Sequence, residues 1–127
     1  MQDEPRAAEI LPAIAKFLRE TVTTDHSAHT IFQARVAANA ADLAAREAQL
    51  SPGFDAAELK RLEALLCRTG DLHALNRLLA DRIADGSLDL STPGLKEHLW
   101  DTSLDKLAVD QPSYASYRHA VKRITQR

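Results

Sequence analysis

The sequence predicts an all-α protein: a single-domain bundle of five to six helices with a tight antiparallel hairpin, about 55–69 and 71–85. Three observations predict it. Apolar residues recur every three or four positions through most of the chain, the spacing that places them on one side of a helix. Gly and Pro mostly fall where one such stretch gives way to the next. Aromatics make up only 5% of the residues, so the core must be built from Leu, Ala, Ile and Val. That mixture suits helix-on-helix packing better than a sheet, whose surface favours β-branched and aromatic side chains.

The first helix is expected to start near Asp3 as N-cap, with Glu4 and Pro5 in its first turn. Ile10, Ile14, Phe17, Leu18 and Val22 form its apolar stripe. Pro12 either kinks this helix or marks its real start, because an interior proline removes a hydrogen bond and clashes with the turn behind it. Thr21 to Ser27 read as a loop, with Asp25 or Ser27 capping the second helix. That helix runs from Ile31 to about Leu50 and is rich in Ala, the best helix former. Val36, Ala40, Leu43, Glu47 and Leu50 define one of its faces. Ser51-Pro52-Gly53 is expected to stop it.

Asp55 and Glu58 resemble a capping box for a third helix reaching Arg68, with Leu59, Leu62, Leu65 and Leu66 inward. Gly70 fits a left-handed C-terminal cap, and Asp71 caps a fourth helix at once. Leu72, Leu75, Leu78, Leu79 and Ile83 face its core, and Gly86 ends it. Thr92-Pro93 reads as N-cap and first helical position of a fifth helix carrying Leu95, Leu99, Leu104, Leu107 and Ala108. Trp100 lies off to one side. Asp110-Gln111-Pro112 interrupts that helix. Ser113 would cap a last one with Tyr114, Tyr117, Val121 and Ile124. With no repeat or linker in between, residues 1–127 are read as one domain, long enough to bury roughly two-thirds of its unfolded surface.

Composition narrows the function classes. The formal net charge of −2 supplies no basic field to draw in nucleic acid or an anionic membrane. The single Cys67 forms no internal disulfide and no zinc knuckle. Met1 to Arg6 lack the basic region and apolar run of a secretion signal, and no run approaches the roughly 18 apolar residues of a membrane span. A soluble, cytoplasmic chain is expected.

Three segments carry a family resemblance: Gln2-Asp3-Glu4-Pro5 with Ala7-Ala8-Glu9, Phe32-Gln33-Ala34-Arg35-Val36-Ala37-Ala38-Asn39-Ala40, and Leu104 through Tyr114. Asp71-Leu72-His73-Ala74-Leu75-Asn76 fits between them. Together they resemble a bacterial family of small proteins designated as a domain of unknown function, 6285. The family has no established catalytic residues to carry over. The resemblance implies an accessory role, because similar proteins are encoded beside, or joined to, aminoglycoside-phosphotransferase-like and acyl-CoA dehydrogenase-like enzymes. Pro12 and the stretch Thr23 to Thr30 depart from the family pattern.

Arg35 and Asn39 stand one turn apart on one helix face. Arg offers a planar fork of donors for a carboxylate or phosphate, and Asn both donates and accepts. They would hold an anionic ligand or partner, or else Arg35 would pair with Asp105 or Asp110 while Asn39 satisfies a loop carbonyl. Asp105, Lys106, Asp110 and Tyr114 form the second cluster, with Asp110 or Ser113 as helix caps. Tyr114 and Asp110 would otherwise line a small pocket with Arg35. His26 and His29 are weak metal candidates, since no third ligand has a fixed spacing to them. Cys67 has no neighbouring base to activate it. The basic end Arg118 to Arg127 complements a helix dipole, and no nucleic-acid motif accompanies it. Phosphate loops and nucleophile elbows are missing, so no cofactor is expected. The sequence therefore favours a non-catalytic interaction module, binding a protein partner or itself. The alternative is a small anionic or acyl ligand held around Arg35 and Asn39.

Overall fold

The computed structural model describes residues 5–22 and 25–125. Among the described residues there are five helices and no strand: α1 (Ala7–Thr21), α2 (Ala28–Leu66), α3 (Leu72–Ala84), α4 (Leu95–Asp110) and α5 (Ala115–Thr125). The all-α class is thus the observed one. Packing gathers the chain into two compact units, Met1–Ser51 and Pro52–Arg127, and the boundary falls inside α2.

The unbroken course of α2 corrects the sequence reading. Ser51-Pro52-Gly53 does not stop the helix, and Asp55 begins no new one. Proline's fixed φ is itself helical, so the chain can pass; the loss is the donor for the Ala48 carbonyl. Strong helix formers on both sides carry the helix across. Pro12 behaves the same way inside α1, which starts at Ala7 and not at Leu11-Pro12. Asp3, the expected cap, lies outside the described residues. Arg6 occupies the cap position, and its backbone N–H donates to the Glu9 carboxylate at 2.8 Å.

In the first unit, α1 and the 28–51 stretch of α2 run antiparallel: Leu18 and Val22 meet Ile31 and Ala34, while Arg19 reaches Asn39 and Asp42. Ser27 caps α2, its Oγ accepting from the Thr30 N–H at 3.2 Å. The residues turned inward are small. Ala15, Ala38 and Ala45 are buried, with Leu11, Leu18, Ile31 and Ala41 half-buried at the same three-and-four spacing. On the face defined by Val36, Ala40, Leu43, Glu47 and Leu50, the first four are exposed and Leu50 is half-buried. Ile10, Ile14 and Phe17 of α1 are exposed as well. The fully buried positions of this unit are thus filled by single methyl groups.

The second unit follows the opposite rule. Leu62, Leu66, Leu75, Leu79 and Leu95 form its core, with Leu59, Leu65, Leu72, Leu78 and Leu88 packed around them. Each fully buried Leu contributes about 1.5–3 kcal/mol. The hairpin joins the end of α2 to α3. α2 ends at Leu66, and the residue in the left-handed conformation is Cys67 (φ 50°), not Gly70. The Arg68 N–H returns to the Glu63 carbonyl at 3.2 Å, closing the helix end. Gly70 has a different use: a Cβ there would stand 3.3 Å from Leu75 Cδ2. Asp71 caps α3 as expected, accepting from the Ala74 N–H at 2.9 Å, and Gly86 (φ 79°) follows its end. Thr92 does not cap α4. Its hydroxyl accepts from the Asp89 N–H at 3.0 Å, and Gly94 (φ 85°) takes the cap position. Along α4, His98 replaces Leu99 on the buried face. α5 packs on α4. It begins at Ala115, and Tyr114, Val121 and Ile124 are exposed, so its inward residues are Tyr117 and Ala120.

Candidate functional site

Two polar constellations stand out, one in each unit. The first is a cleft of about 610 Å³ between α1 and α2. Its floor is apolar, from Leu18, Val22, Ile31 and Ala34, and its rim carries Arg19, Arg35 and Asn39. The helical period makes this rim: residues 35, 39 and 42 fall on one side of α2 at spacings of four and three. Arg19 faces them from α1. One of its guanidinium nitrogens donates to Asp42 Oδ2 at 2.7 Å and to Asn39 Oδ1 at 3.0 Å. Asn39 is therefore met by a side chain, where a loop carbonyl was the expectation. Arg35, exposed, has no side-chain hydrogen bond or ion pair among the described residues. One cation of the cleft is thus neutralised internally, and the other is available to an anion.

The second constellation is half-buried, with His98 its one buried member. Arg61, on the flank of the Leu62 row, donates to Asp105 Oδ2 at 3.2 Å and to the Thr102 hydroxyl at 3.4 Å. Asn76, placed between Leu72 and Leu79 on the inner side of α3, donates to Glu58 Oε1 at 2.7 Å. His98 is 3% exposed, and its Nδ1 and the Arg61 Nε have no hydrogen-bond partner among the described residues. Burial pushes the imidazole below its ordinary value, and the nearby Arg61 charge adds to the effect. Glu58 and Asp101 pull it the other way. The result is a buried imidazole biased toward its neutral form beside a guanidinium paired with Asp105.

Arg35 and Asn39 thus belong to the cleft of the first unit, while Asp105, Asp110 and Tyr114 belong to the second. Asp105 is held by Arg61. Asp110 is the exposed last residue of α4. The Tyr114 ring is half exposed, and its backbone carbonyl accepts from the Arg118 N–H at the start of α5. His26 and His29 are exposed, and the described residues contain no group of three His, Cys, Asp or Glu side chains placed to hold a metal ion. Cys67 is exposed, its thiol donating to the Ala64 carbonyl. Arg19, Arg61 and His98 were not singled out from the sequence. Asn76 did carry a readable sign, since it falls at helical spacing within a leucine row.

Residues 24–114 match the family described as Domain of unknown function (DUF6285). The chain belongs to that family. The match takes in three of the segments that carried the resemblance, around Phe32–Ala40, Asp71–Asn76 and Leu104–Tyr114, and leaves out α1 and α5. No curated protein and no solved structure matches the chain. No helix of the described residues is long and apolar enough to cross a membrane.

Proposed function

We propose that this DUF6285 protein is a non-catalytic accessory module that works by docking another protein chain or a second copy of itself. One observation carries the reading: the α1–α2 pair wears its large apolar residues on the outside. Phe17 is 62% exposed and Phe32 66%, with Ile14 and Val36 beside them on their helices, while alanines fill the inside. Several large apolar side chains exposed on one helix pair are a signal of an interaction surface. The family resemblance extends the proposal to a phosphotransferase-like or acyl-CoA dehydrogenase-like enzyme as that partner. Affinity capture from the native cell tests it, comparing the wild-type chain with Phe17→Asp and Phe32→Asp. Recovery of such an enzyme that is lost in one variant, at unchanged helical content, is the expected result. Identical recovery with all three chains would overturn it.

A second reading has its own support. The α1–α2 cleft is large enough for a small ligand, and Arg35 lines it with no side-chain partner among the described residues. An anionic group over the apolar floor would be a carboxylate or acyl phosphate. Calorimetric titration with medium-chain carboxylates, repeated on Arg35→Ala, tests it. Saturable heat that disappears in the variant would favour the ligand over the partner.

A further inference from the structure

Two hollows on the second unit share a wall. One, of about 410 Å³, is lined by Ser116, His119, Ala120 and Ile124, and the other, of about 660 Å³, by Leu90, Lys96, Leu99 and Ser103. Trp100 and Arg123 line both, so the two form one groove between α4 and α5. Helical periodicity builds each side. Lys96, Leu99, Trp100 and Ser103 sit at i, i+3, i+4 and i+7 on α4, and Ser116, His119, Ala120 and Arg123 repeat that spacing on α5. The row on α4 runs about 10 Å, two helical turns.

The groove exposes large apolar side chains between polar ones. Leu90 is 77% exposed, and Trp100 and Ile124 each 55%. Its charge is biased too. Lys96 and Arg123 have no ion pair among the described residues, and Glu97 is the acid on the lining. α5 carries Arg118, His119, Lys122 and Arg123 and no acid, in a chain whose net charge is −2. The anchors are spread along the groove instead of converging on one enclosed point. That distribution suits the apolar face of a helix, which sets its side chains down at i, i+3, i+4 and i+7, better than a compact ligand, which needs most of its surface enclosed.

We propose that the α4–α5 groove binds an amphipathic helix of a partner protein that sets apolar anchors against Trp100 and Leu99 and turns carboxylates toward Lys96 and Arg123. The inference rests on the reading of the chain as a docking module, but on a different surface from the α1–α2 stripes. Phe17→Asp and Phe32→Asp leave it untouched, so each can fail alone.

Trp100 is the single tryptophan of the chain and reports directly on the groove. The test titrates the full chain with an 18-residue helical peptide carrying Leu at i, i+3, i+4 and i+7 and Glu on the flanks, and with the same peptide carrying Lys in place of Glu. The Glu peptide should shift Trp100 emission to the blue saturably, and more weakly as salt is added. Arg123→Glu, with helical content checked by circular dichroism, should weaken that binding at least tenfold and improve the Lys peptide's. Lys96→Glu should act in the same direction. No shift, an equal response to both peptides, or unchanged binding by Arg123→Glu would overturn the proposal. So would a shift produced by phosphatidylglycerol vesicles and not by peptide. A red shift on dilution of the chain alone would also overturn it, because it would give the groove to a second copy.

Discussion

The two units solve the same packing problem with opposite side chains. In the first, alanines face inward and the large apolar residues face out. In the second, five leucines are buried together, with the Arg61–Asp105 and Asn76–Glu58 contacts beside them. The first gains little transfer free energy per residue, about 0.8 kcal/mol for each buried methylene-sized group, and relies on close backbone contact. The second gains several times more from each position. Phe17 and Phe32 are exposed on the same helices whose Ala15, Ala38 and Ala45 are buried, and the proposed docking would give that outer bulk its contact.

The largest expected effect tests this inversion. Leu62→Ala should destabilise the second unit by about 2–5 kcal/mol, the cost of a truncated core leucine and its cavity. Phe32→Ala removes a bigger side chain but should change stability by less than about 0.5 kcal/mol. Ala38→Leu should do the reverse of what hydrophobicity suggests, costing about 1–3 kcal/mol by overfilling the seam. Urea unfolding followed by circular dichroism measures all three, with Trp100 emission reporting on the second unit separately. A cost for Phe32→Ala as large as that for Leu62→Ala would break the comparison.

The ion pairs sharpen it. Arg19–Asp42 is the shorter at 2.7 Å, but its side chains are 43% and 32% exposed. Arg61–Asp105 is longer at 3.2 Å, with both side chains 25% exposed. Environment should outweigh distance. Water screens the first pair, so Arg19→Met is expected to cost about 0.5 kcal/mol. Arg61→Met leaves Asp105 partly buried without its partner and should cost about 1–2 kcal/mol, below the full burial penalty because a quarter of each side chain still meets solvent. Double-mutant cycles on the two pairs give the ranking directly.

The same contrast explains why these features were unequally legible in the sequence. Leucine is both large and inward in the second unit, so periodicity picks out Leu62, Leu66, Leu75 and Leu79 correctly. In the first unit, weighing side chains by hydrophobicity selects Val36 and Leu43, when close approach had placed Ala38 and Ala45 inside. Arg35 and Asn39 were visible because a helical period pairs them within one segment. Their neighbour Arg19 was not, because its contact with Asn39 depends on how two helices meet. Asp105 carried a sequence signal but its partner Arg61 did not, for the same reason. The stop read at Ser51-Pro52-Gly53 failed because a proline weakens one helical bond without preventing the next.

The buried histidine separates the units by pH. His98 is held neutral, its value lowered first by burial and then by Arg61. The unfolded chain binds a proton near pH 6.5 that the folded chain resists. His98 therefore supports the second unit fully above about pH 6.5, and that support is lost as pH falls below it toward the lowered folded value. Asp85 and Asp89 are held low by Ser87 and Ser91, so their contribution changes only below the ordinary carboxylate range. Urea midpoints between pH 7.5 and 5 should decline for the wild type and stay flatter for His98→Gln. Parallel declines in both proteins would assign the pH dependence to groups other than His98.

A small effect of the opposite sign concerns the end of α2. Cys67 holds φ 50°, a conformation that costs an L-residue roughly 1–2 kcal/mol and glycine almost nothing. Glycine gives some of that back through the greater freedom of its unfolded chain, about 0.4–1 kcal/mol. The Cys67 thiol touches only the Ala64 carbonyl, at 3.7 Å, so little is lost with it. Cys67→Gly should therefore stabilise the second unit by about 0.5–1 kcal/mol, and Cys67→Val should destabilise it, because branching at Cβ worsens the same clash. Gly70→Ala runs the control in the other direction. Its Cβ would press on Leu75, so the glycine that looked like the cap should be the one that tolerates substitution for a packing reason or not at all. If Cys67→Gly leaves the urea midpoint where it is, strain at this turn is absorbed by the Arg68–Glu63 closure instead of being stored at residue 67.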